Sequence, residues 1–190
     1  MYFRRQIEAE VNAFPNFTAS IPLDGHTYCI HFMALFSRNP AAVPVISSHG
    51  WPGSVLEFLP QLRLTSEAYN PDTLPYHLII PSLPGYALSD GPPADKDFNI
   101  YDASHLLHLL LTQYLGFDRY ISTGGDIGSG VARIQARKYN ECRGCMINFC
   151  SMLSTPELEA IKLDSDWEKQ CVDRGEFMYH TEGVCFSSSL

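Results

Sequence analysis

The sequence predicts an α/β fold in which a mostly parallel sheet is flanked by helices. Apolar segments of strand length alternate along the chain with segments whose apolar residues recur at helical spacing. Stretches rich in Gly, Pro and Asp separate the two kinds of segment. This alternation favours parallel strands, because parallel neighbours are joined by crossover helices. The predicted strands are residues 28–36, 43–48, 77–81, 120–123 and 143–150.

Two of these strands and one helix are predicted before residue 77. Residues 28–36 end at the turn cluster Ser37-Arg38-Asn39-Pro40, and residues 43–48 end at His49-Gly50-Trp51-Pro52-Gly53. A helix is predicted next, with Ser54 as its N-cap. Its apolar residues recur at helical spacing at Val55, Leu56, Phe58, Leu59 and Leu62.

After the strand at residues 77–81 the pattern repeats. Residues 85–99 are predicted to form a loop, and residues 101–115 a leucine-rich helix that ends at Gly116. A strand at residues 120–123, a helix at residues 131–139 and a last strand at residues 143–150 follow. Beyond Cys150 the chain becomes more polar, and a helix is predicted from Pro156 onward.

Composition and charge exclude several classes of partner. Of the 190 residues 45% are hydrophobic and 18% are charged, as in a globular domain that can bury a core. The net charge of -8, with no local cluster of Lys and Arg, argues against binding nucleic acid or anionic membranes. The apolar stretches are too short and interrupted to predict a membrane span.

The chain has six cysteines, and Cys142-Arg-Gly-Cys145 has the spacing of half a zinc site. A structural zinc site normally needs a second ligand pair, and the other cysteines do not provide one at that spacing. The sequence therefore predicts reduced thiols in an intracellular (cytoplasmic) protein, with no metal and no cofactor.

Gly124-x-Asp126-x-Gly128 has the spacing of a nucleophile elbow, with an aspartate at the central position. A sharp strand-to-helix turn needs small flanking residues and places the central side chain at the helix N-terminus, which favours an anion. A simple Gly-Asp turn is the alternative, but the strand before and the helix after favour the elbow. We therefore predict that Asp126 is an ionised nucleophile.

The loop at residues 49–53 follows an earlier strand, where α/β hydrolases place part of the oxyanion hole. The predicted donors are the backbone N–H groups of Trp51 and Ile127. Each donor contributes roughly 3–4 kcal/mol when it faces a developing oxyanion. The two motifs together predict an α/β-hydrolase fold.

Three motifs and the N-terminal segment resemble microsomal-type epoxide hydrolases, particularly their fungal members. The motifs are His49-Gly50-Trp51-Pro52-Gly53-Ser54, Pro81-Ser82-Leu83-Pro84-Gly85-Tyr86 and Gly124-Gly125-Asp126-Ile127-Gly128-Ser129. Asn12-Ala13-Phe14-Pro15-Asn16-Phe17, Asp24-Gly25 and Ile30-His31-Phe32 resemble the module that precedes the hydrolase core in these enzymes. The resemblance covers roughly residues 5–150.

The resemblance implies the chemistry. Asp126 would attack a carbon of a small-molecule epoxide to form a hydroxyalkyl ester, whose carbonyl water can attack. In this family a histidine oriented by a second acid activates that water, and two cap tyrosines polarise the epoxide oxygen. Trp51 and Ile127 would stabilise the oxyanion of ester hydrolysis. The first cap tyrosine aligns with Met178 without gaps, and Tyr179 is the candidate.

The family's base and second acid lie on late strands, and the chain is expected to be truncated before them. By resemblance, residues 1–40 form the N-terminal module and first strands. Residues 41–150 form the N-terminal half of the core, and residues 151–190 an incomplete cap. None of the seven histidines occupies the late position of the base.

Two other functions stay open. A truncated, non-catalytic remnant would also lack the base. Haloalkane dehalogenases use an aspartate in this fold too, but His49-Gly50-Trp51-Pro52-Gly53-Ser54 and the doubled glycine before Asp126 argue against them. Missing strands would expose a sheet edge, so we also expect poor stability and self-association.

Overall fold

The computed structural model describes residues 2–150, 165–171 and 173. The chain divides into two compact units, Met1–Cys150 and Ser151–Leu190. In the second unit the described residues 166–171 are helical. Ser165 and Glu168 begin this helix with reciprocal hydrogen bonds, in which each side chain accepts the other residue's N–H. The start of the helix predicted from Pro156 lies outside the described residues, and the assignment of this segment to a cap stays a prediction.

The first unit contains one six-stranded sheet in the order β1-β2-β4-β3-β5-β6. Its strands are β1 (Asn16–Leu23), β2 (His26–Leu35), β3 (Val43–Ser48), β4 (Tyr76–Pro81), β5 (Tyr120–Gly124) and β6 (Cys142–Ile147). β3 runs parallel to β4 and to β5, and β5 runs parallel to β6. β1 and β2 pair antiparallel, as do β2 and β4. The predicted mostly parallel sheet is therefore confirmed, with an antiparallel N-terminal part.

The described helices of the first unit are α1 (Tyr2–Asn12), α2 (Leu59–Ala68), α3 (Ile100–Leu109) and α4 (Ile127–Lys138). A 3-10 turn, Val55–Phe58, precedes α2, and a π turn, Leu110–Tyr114, extends α3. As predicted, Ser54 caps the 3-10 turn, because its Oγ accepts the Leu56 N–H at 3.3 Å. Asn99 and Asp102 form a capping box at the start of α3. The chain leaves the π turn at Gly116, whose φ is +72°.

The structure differs from the sequence prediction in the bounds of some elements and in two elements that were not predicted. The helix predicted at residues 131–139 begins at Ile127, because the Asp126 carbonyl already accepts the Ser129 N–H at 3.0 Å. The last strand ends at Ile147 rather than at Cys150. α1 and β1 were not predicted. β1 is exposed along most of its length and forms a hairpin with β2, so its sequence lacks the apolar run of a buried strand.

Two apolar clusters cover the central strands. Leu78 and Ile80 of β4 join Leu59 and Leu62 of α2 in one cluster. Ile79 instead joins the other cluster, which includes residues of α3 and α4. Because side chains alternate across a strand, β4 is buried on both faces. The loops at the carboxyl ends of the central strands therefore start from a fixed framework.

Burial lowers the pKa of five histidines, His31, His49, His77, His105 and His108. Their ordinary pKa is 6.5, so below that pH the unfolded chain binds more protons than the folded chain does. We expect the stability contributed by these neutral imidazoles to be fully present above about pH 6.5 and lost progressively below it. Thermal unfolding followed by circular dichroism between about pH 5 and pH 8 should show a Tm that falls by several degrees on the acid side.

A pair of variants tests the cause. His105→Gln removes a half-buried imidazole whose Nδ1 lies 2.9 Å from the Tyr139 hydroxyl, and it should make Tm less dependent on pH. His26→Gln is the control, because that ring faces Asp95 at the surface at 3.8 Å. A wild-type Tm that rises on acidification would contradict the prediction.

Candidate active site

Asp126 occupies a strained position between β5 and α4. β5 ends at Gly124 and α4 begins at Ile127, so only two residues make the turn. Asp126 has φ +50° and ψ -119°, in a region that non-glycine residues rarely adopt. Such a conformation costs about 1–3 kcal/mol and persists only where the surroundings enforce it. This is the elbow position that the sequence predicted for Asp126.

Glycines enforce the turn by allowing backbone segments to approach each other. A Cβ on Gly124 would collide with the Gly128 backbone, and a Cβ on Gly128 would collide with the Ser48 carbonyl at the end of β3. A Cβ on Gly50 would lie 2.7 Å from the Asp126 Cβ. The small residues of both motifs therefore bring the loop after β3 against the elbow.

The backbone N–H of Trp51 donates a hydrogen bond of 2.7 Å to Oδ2 of Asp126. This contact joins the two predicted motifs across the end of the sheet. Ile127, the other predicted donor, is the first residue of α4, where helix geometry leaves the N–H without an intrahelical acceptor. Asp126 itself is half-buried, whereas 66% of the Trp51 surface is exposed.

His49 holds the peptide that carries the Trp51 N–H. Its Nε2 accepts the Leu83 N–H at 3.1 Å, so Nδ1 carries the proton and donates to the Gly50 carbonyl at 3.1 Å. The Gly50 carbonyl and the Trp51 N–H belong to one trans peptide unit and point in opposite directions. Burial lowers the pKa of His49 and so favours the neutral ring that this arrangement needs. His49 therefore directs the Trp51 N–H toward Asp126.

The site also contains two residues, Tyr86 and Asn148, to which the sequence assigned no role. The Tyr86 ring lies 5.1 Å from the His49 ring, and partial burial together with the charge of Asp126 raises the pKa of the Tyr86 hydroxyl. Asn148 follows β6, and its amide lies against Gly125. Their positions in the sequence could have indicated a place in the site. Both residues follow the carboxyl end of a parallel strand, and ligands bind at that edge in α/β sheets.

Each described histidine has its imidazole near a partner other than Asp126. The partners are Asp95 for His26, Ser82 and Asn16 for His31, Leu83 and Gly50 for His49, Ser37 for His77, Tyr139 for His105 and Tyr120 for His108. Within the described part of the chain, then, no histidine is paired with Asp126. Tyr179, the predicted cap tyrosine, and the seventh histidine, His180, lie outside that part.

The two cysteines with zinc-like spacing have different surroundings. Cys142 is buried, and its thiol donates to the Gly144 carbonyl at 3.4 Å. Burial raises the pKa of the Cys142 thiol, whereas Cys145 is exposed. Cys142 thus fills space in the core as a neutral thiol.

Two family descriptions match the chain. Residues 2–58 match "Epoxide hydrolase N terminus", and residues 43–180 match "alpha/beta hydrolase fold". A putative epoxide hydrolase of the fungus Dothistroma septosporum is 40% identical over 161 residues, covering 84% of this chain and 38% of that protein. Epoxide hydrolase 1 of Sus scrofa is 34% identical over 131 residues, or 67% of this chain and 28% of that protein.

Solved structures agree with these matches. The epoxide hydrolase of Aspergillus niger is 44% identical, with a TM-score of 0.79 over 96% of this chain and 46% of that one. The juvenile hormone epoxide hydrolase of the silkworm Bombyx mori is 27% identical, with a TM-score of 0.63 over 76% of this chain and 37% of that one. The chain spans less than half the length of these relatives.

None of the helices in the described residues has the length and apolar character that a membrane span requires.

Proposed function

This chain belongs to the α/β-hydrolase family and, within it, to the epoxide hydrolases, and from that premise we propose that Asp126 opens an epoxide by forming an aspartyl ester. The observation that carries the proposal is the 2.7 Å hydrogen bond between the Trp51 N–H and Asp126 Oδ2 at a strained elbow. It places an ionisable carboxylate and a backbone donor together, as the chemistry requires.

The two carboxylate oxygens then have different tasks. Trp51 holds Oδ2, which leaves Oδ1 to attack an epoxide carbon. The carbon–oxygen bond of the epoxide breaks, and its oxygen takes up a proton from solvent water to become the hydroxyl group of the ester. Oδ2 is now the ester carbonyl oxygen and already faces the Trp51 N–H. When water attacks the ester, that N–H and the N–H of Ile127 stabilise the oxyanion.

The surroundings of Asp126 favour an epoxide with an apolar substituent. Exposed apolar side chains follow the carboxyl ends of three strands: Trp51 after β3, Leu88 after β4 and Phe149 after β6. Ends of neighbouring parallel strands lie on one edge of the sheet, which is the edge that carries Asp126. An aryl or alkyl group of the substrate would contact these side chains.

We further propose that this chain performs only the first half of the reaction. The described histidines are engaged elsewhere, so none of them would activate water at the ester formed on Asp126. Residues 151–190, with Tyr179, would belong to the cap, and residues 1–40 to the N-terminal module. The described cysteines are free thiols, and an intracellular location is part of the same proposal.

The experiment is intact-mass spectrometry of the chain after exposure to an activated aryl epoxide, followed by peptide mapping. The expected result is one increment equal to the mass of the epoxide, on the peptide that contains residue 126, with no diol released. An increment on other residues alone would overturn the assignment of the nucleophile. If the chain gains no mass at all, the alternative of a non-catalytic remnant is favoured.

Self-association through strand β6 is part of the proposal. β6 is an outer strand of the described sheet, and Met146 on it is 68% exposed. An exposed strand edge with apolar side chains is a template for pairing with another chain. Met146→Lys should therefore reduce the dimer fraction measured by sedimentation velocity at micromolar concentration. Leu64→Lys, at an exposed position on α2, is the control and should leave the dimer fraction unchanged. If both variants change the dimer fraction equally, the dimer does not form through the β6 edge.

A further inference from the structure

The ring of His31 makes two hydrogen bonds in the interior of the protein. His31 lies in β2 and is only 3% exposed. Its Nε2 lies 2.8 Å from Oδ1 of Asn16 in β1. Its Nδ1 lies 2.9 Å from Oγ of Ser82, the residue that directly follows β4. The ring therefore connects an N-terminal strand with the loop that begins at Ser82.

The contacts of Asn16 decide the tautomer of this ring. The Asn16 amide nitrogen donates to the carbonyls of Val11 and Phe14, at 2.9 and 2.8 Å. Its Oδ1 is therefore the atom that faces His31, and because a carboxamide oxygen only accepts, Nε2 of His31 carries the proton. Burial lowers the pKa of His31 and favours the neutral ring, so Nδ1 accepts the hydroxyl hydrogen of Ser82.

The main chain of His31 holds the same part of the loop. The His31 carbonyl accepts the Ser82 N–H at 2.9 Å, and the His31 N–H donates to Oγ of Ser89 at 2.9 Å. The Ser89 hydroxyl in turn donates to the Ser82 carbonyl at 2.7 Å. The N–H, the carbonyl and the hydroxyl of Ser82 are thus bound to His31, either directly or through Ser89. Because Ser82 is fully buried, water does not compete for these groups.

The hydrogen bonds continue from this loop to the elbow. The Ser82–Leu83 peptide unit carries the Leu83 N–H, which donates to Nε2 of His49 at 3.1 Å. This donor leaves the proton of His49 on Nδ1, which donates to the Gly50 carbonyl. The same peptide unit carries the Trp51 N–H, which binds the carboxylate at the elbow. Each hydrogen bond therefore sets the direction of the next.

We propose that His31 is a positioning residue, which orients the Trp51 N–H toward Asp126 through the loop after β4. The inference rests on the proposed function for its effect on epoxide opening, but not for its effect on geometry. β1 and β2 lie within residues 2–58, the segment that matches the N terminus of epoxide hydrolases. That segment then contributes to the active site indirectly, through the hydrogen bonds of His31 and Asn16.

The test replaces His31 and follows the site by nuclear magnetic resonance in the full ¹⁵N-labelled chain. His31→Leu removes both ring contacts. His31→Asn keeps an acceptor for the Ser82 hydroxyl, because its Oδ1 occupies the position of the histidine Nδ1. In wild type we expect opposite tautomers, with the proton on Nε2 of His31 and on Nδ1 of His49. His31→Leu should shift the Trp51 amide proton resonance and move the His49 ring toward a mixture of tautomers.

Alkylation by an activated aryl epoxide should slow about tenfold in His31→Leu, the loss expected for one buried hydrogen bond. In His31→Asn the rate should stay within about threefold of wild type, because the acceptor is kept. Equal losses in the two variants would contradict the proposal. Ser82→Ala removes the hydroxyl but keeps the loop backbone. It should shift the Trp51 and His49 resonances in the same direction, and it decides the question if His31→Leu does not fold.

His108→Leu is the matched control. The His108 ring is also buried, and its Nδ1 lies 3.1 Å from the Tyr120 hydroxyl, in contact with β5 rather than with the loop after β4. Denaturant unfolding should show a loss of stability similar to that of His31→Leu. The Trp51 and His49 resonances should nevertheless stay as in wild type.

The outcomes separate this inference from the proposed function. Trp51 and His49 resonances that are unchanged in both His31→Leu and Ser82→Ala would overturn the positioning role, whatever the alkylation rate. Equal shifts in His31→Leu and His108→Leu would also overturn it, because a general loss of stability would then be the cause. If the wild-type chain is not alkylated but the two resonances move as expected, the positioning role stands and the proposed function fails.

Discussion

Asp126→Asn is expected to abolish the mass increment that the wild-type chain gains from an activated aryl epoxide. The amide is not a nucleophile toward an epoxide carbon, so the rate of adduct formation should fall at least ~10³-fold. The fold should survive, because the Asn carbonyl oxygen can still accept the Trp51 N–H that Asp126 Oδ2 now accepts at 2.7 Å. Intact-mass spectra of both proteins over the same time course measure the difference.

The matched control is Asp118→Asn, which removes one carboxylate at a highly exposed position shortly before β5. It should be alkylated at the wild-type rate. The wild-type ester itself should persist, because general-base assistance is typically worth ~10²–10⁴-fold and the described histidines are engaged elsewhere. Adduct formation by Asp126→Asn would place the nucleophile at another residue. Steady release of diol by the wild-type chain would show that a base is present, and His180 would be the first residue to replace.

Gly128→Ala is expected to destabilise the chain by about 3–5 kcal/mol or to prevent folding, and to do so through backbone contact alone. The added Cβ would collide with the Ser48 carbonyl at the end of β3. β3 cannot move aside, because it pairs with β4 on one side and with β5 on the other. Denaturant unfolding followed by circular dichroism, with the midpoint and slope compared with those of wild type, is the measurement.

Gly144→Ala provides a comparison within the same sheet. Gly144 lies in β6, and a Cβ there would have no other atom within 4 Å. The free energy of unfolding of this variant should stay within about 0.5 kcal/mol of wild type. Equal stabilities of the two alanine variants would show that close approach of α4 to β3 does not restrict residue 128.

Several of the elements that local pattern predicted are buried on both faces or capped by a side chain at their start. Strands β3, β4 and β5 are short apolar runs between turn residues, and the helix that begins with α3 has leucines at helical spacing and ends at Gly116. β1 was missed because it is largely exposed and its formation depends on pairing with β2. The start of α4 was misplaced because Ile127 and its neighbours form a helix only after the strained turn at Asp126.

The sequence by itself determined the family resemblance, the α/β fold and the elbow with Asp126, because short motifs and hydrophobic periodicity are local properties of the chain. Only the tertiary structure decided which groups meet at the elbow. Trp51 and Asp126 are 75 positions apart, and they make contact because β3 and β5 are parallel neighbours that end at one edge.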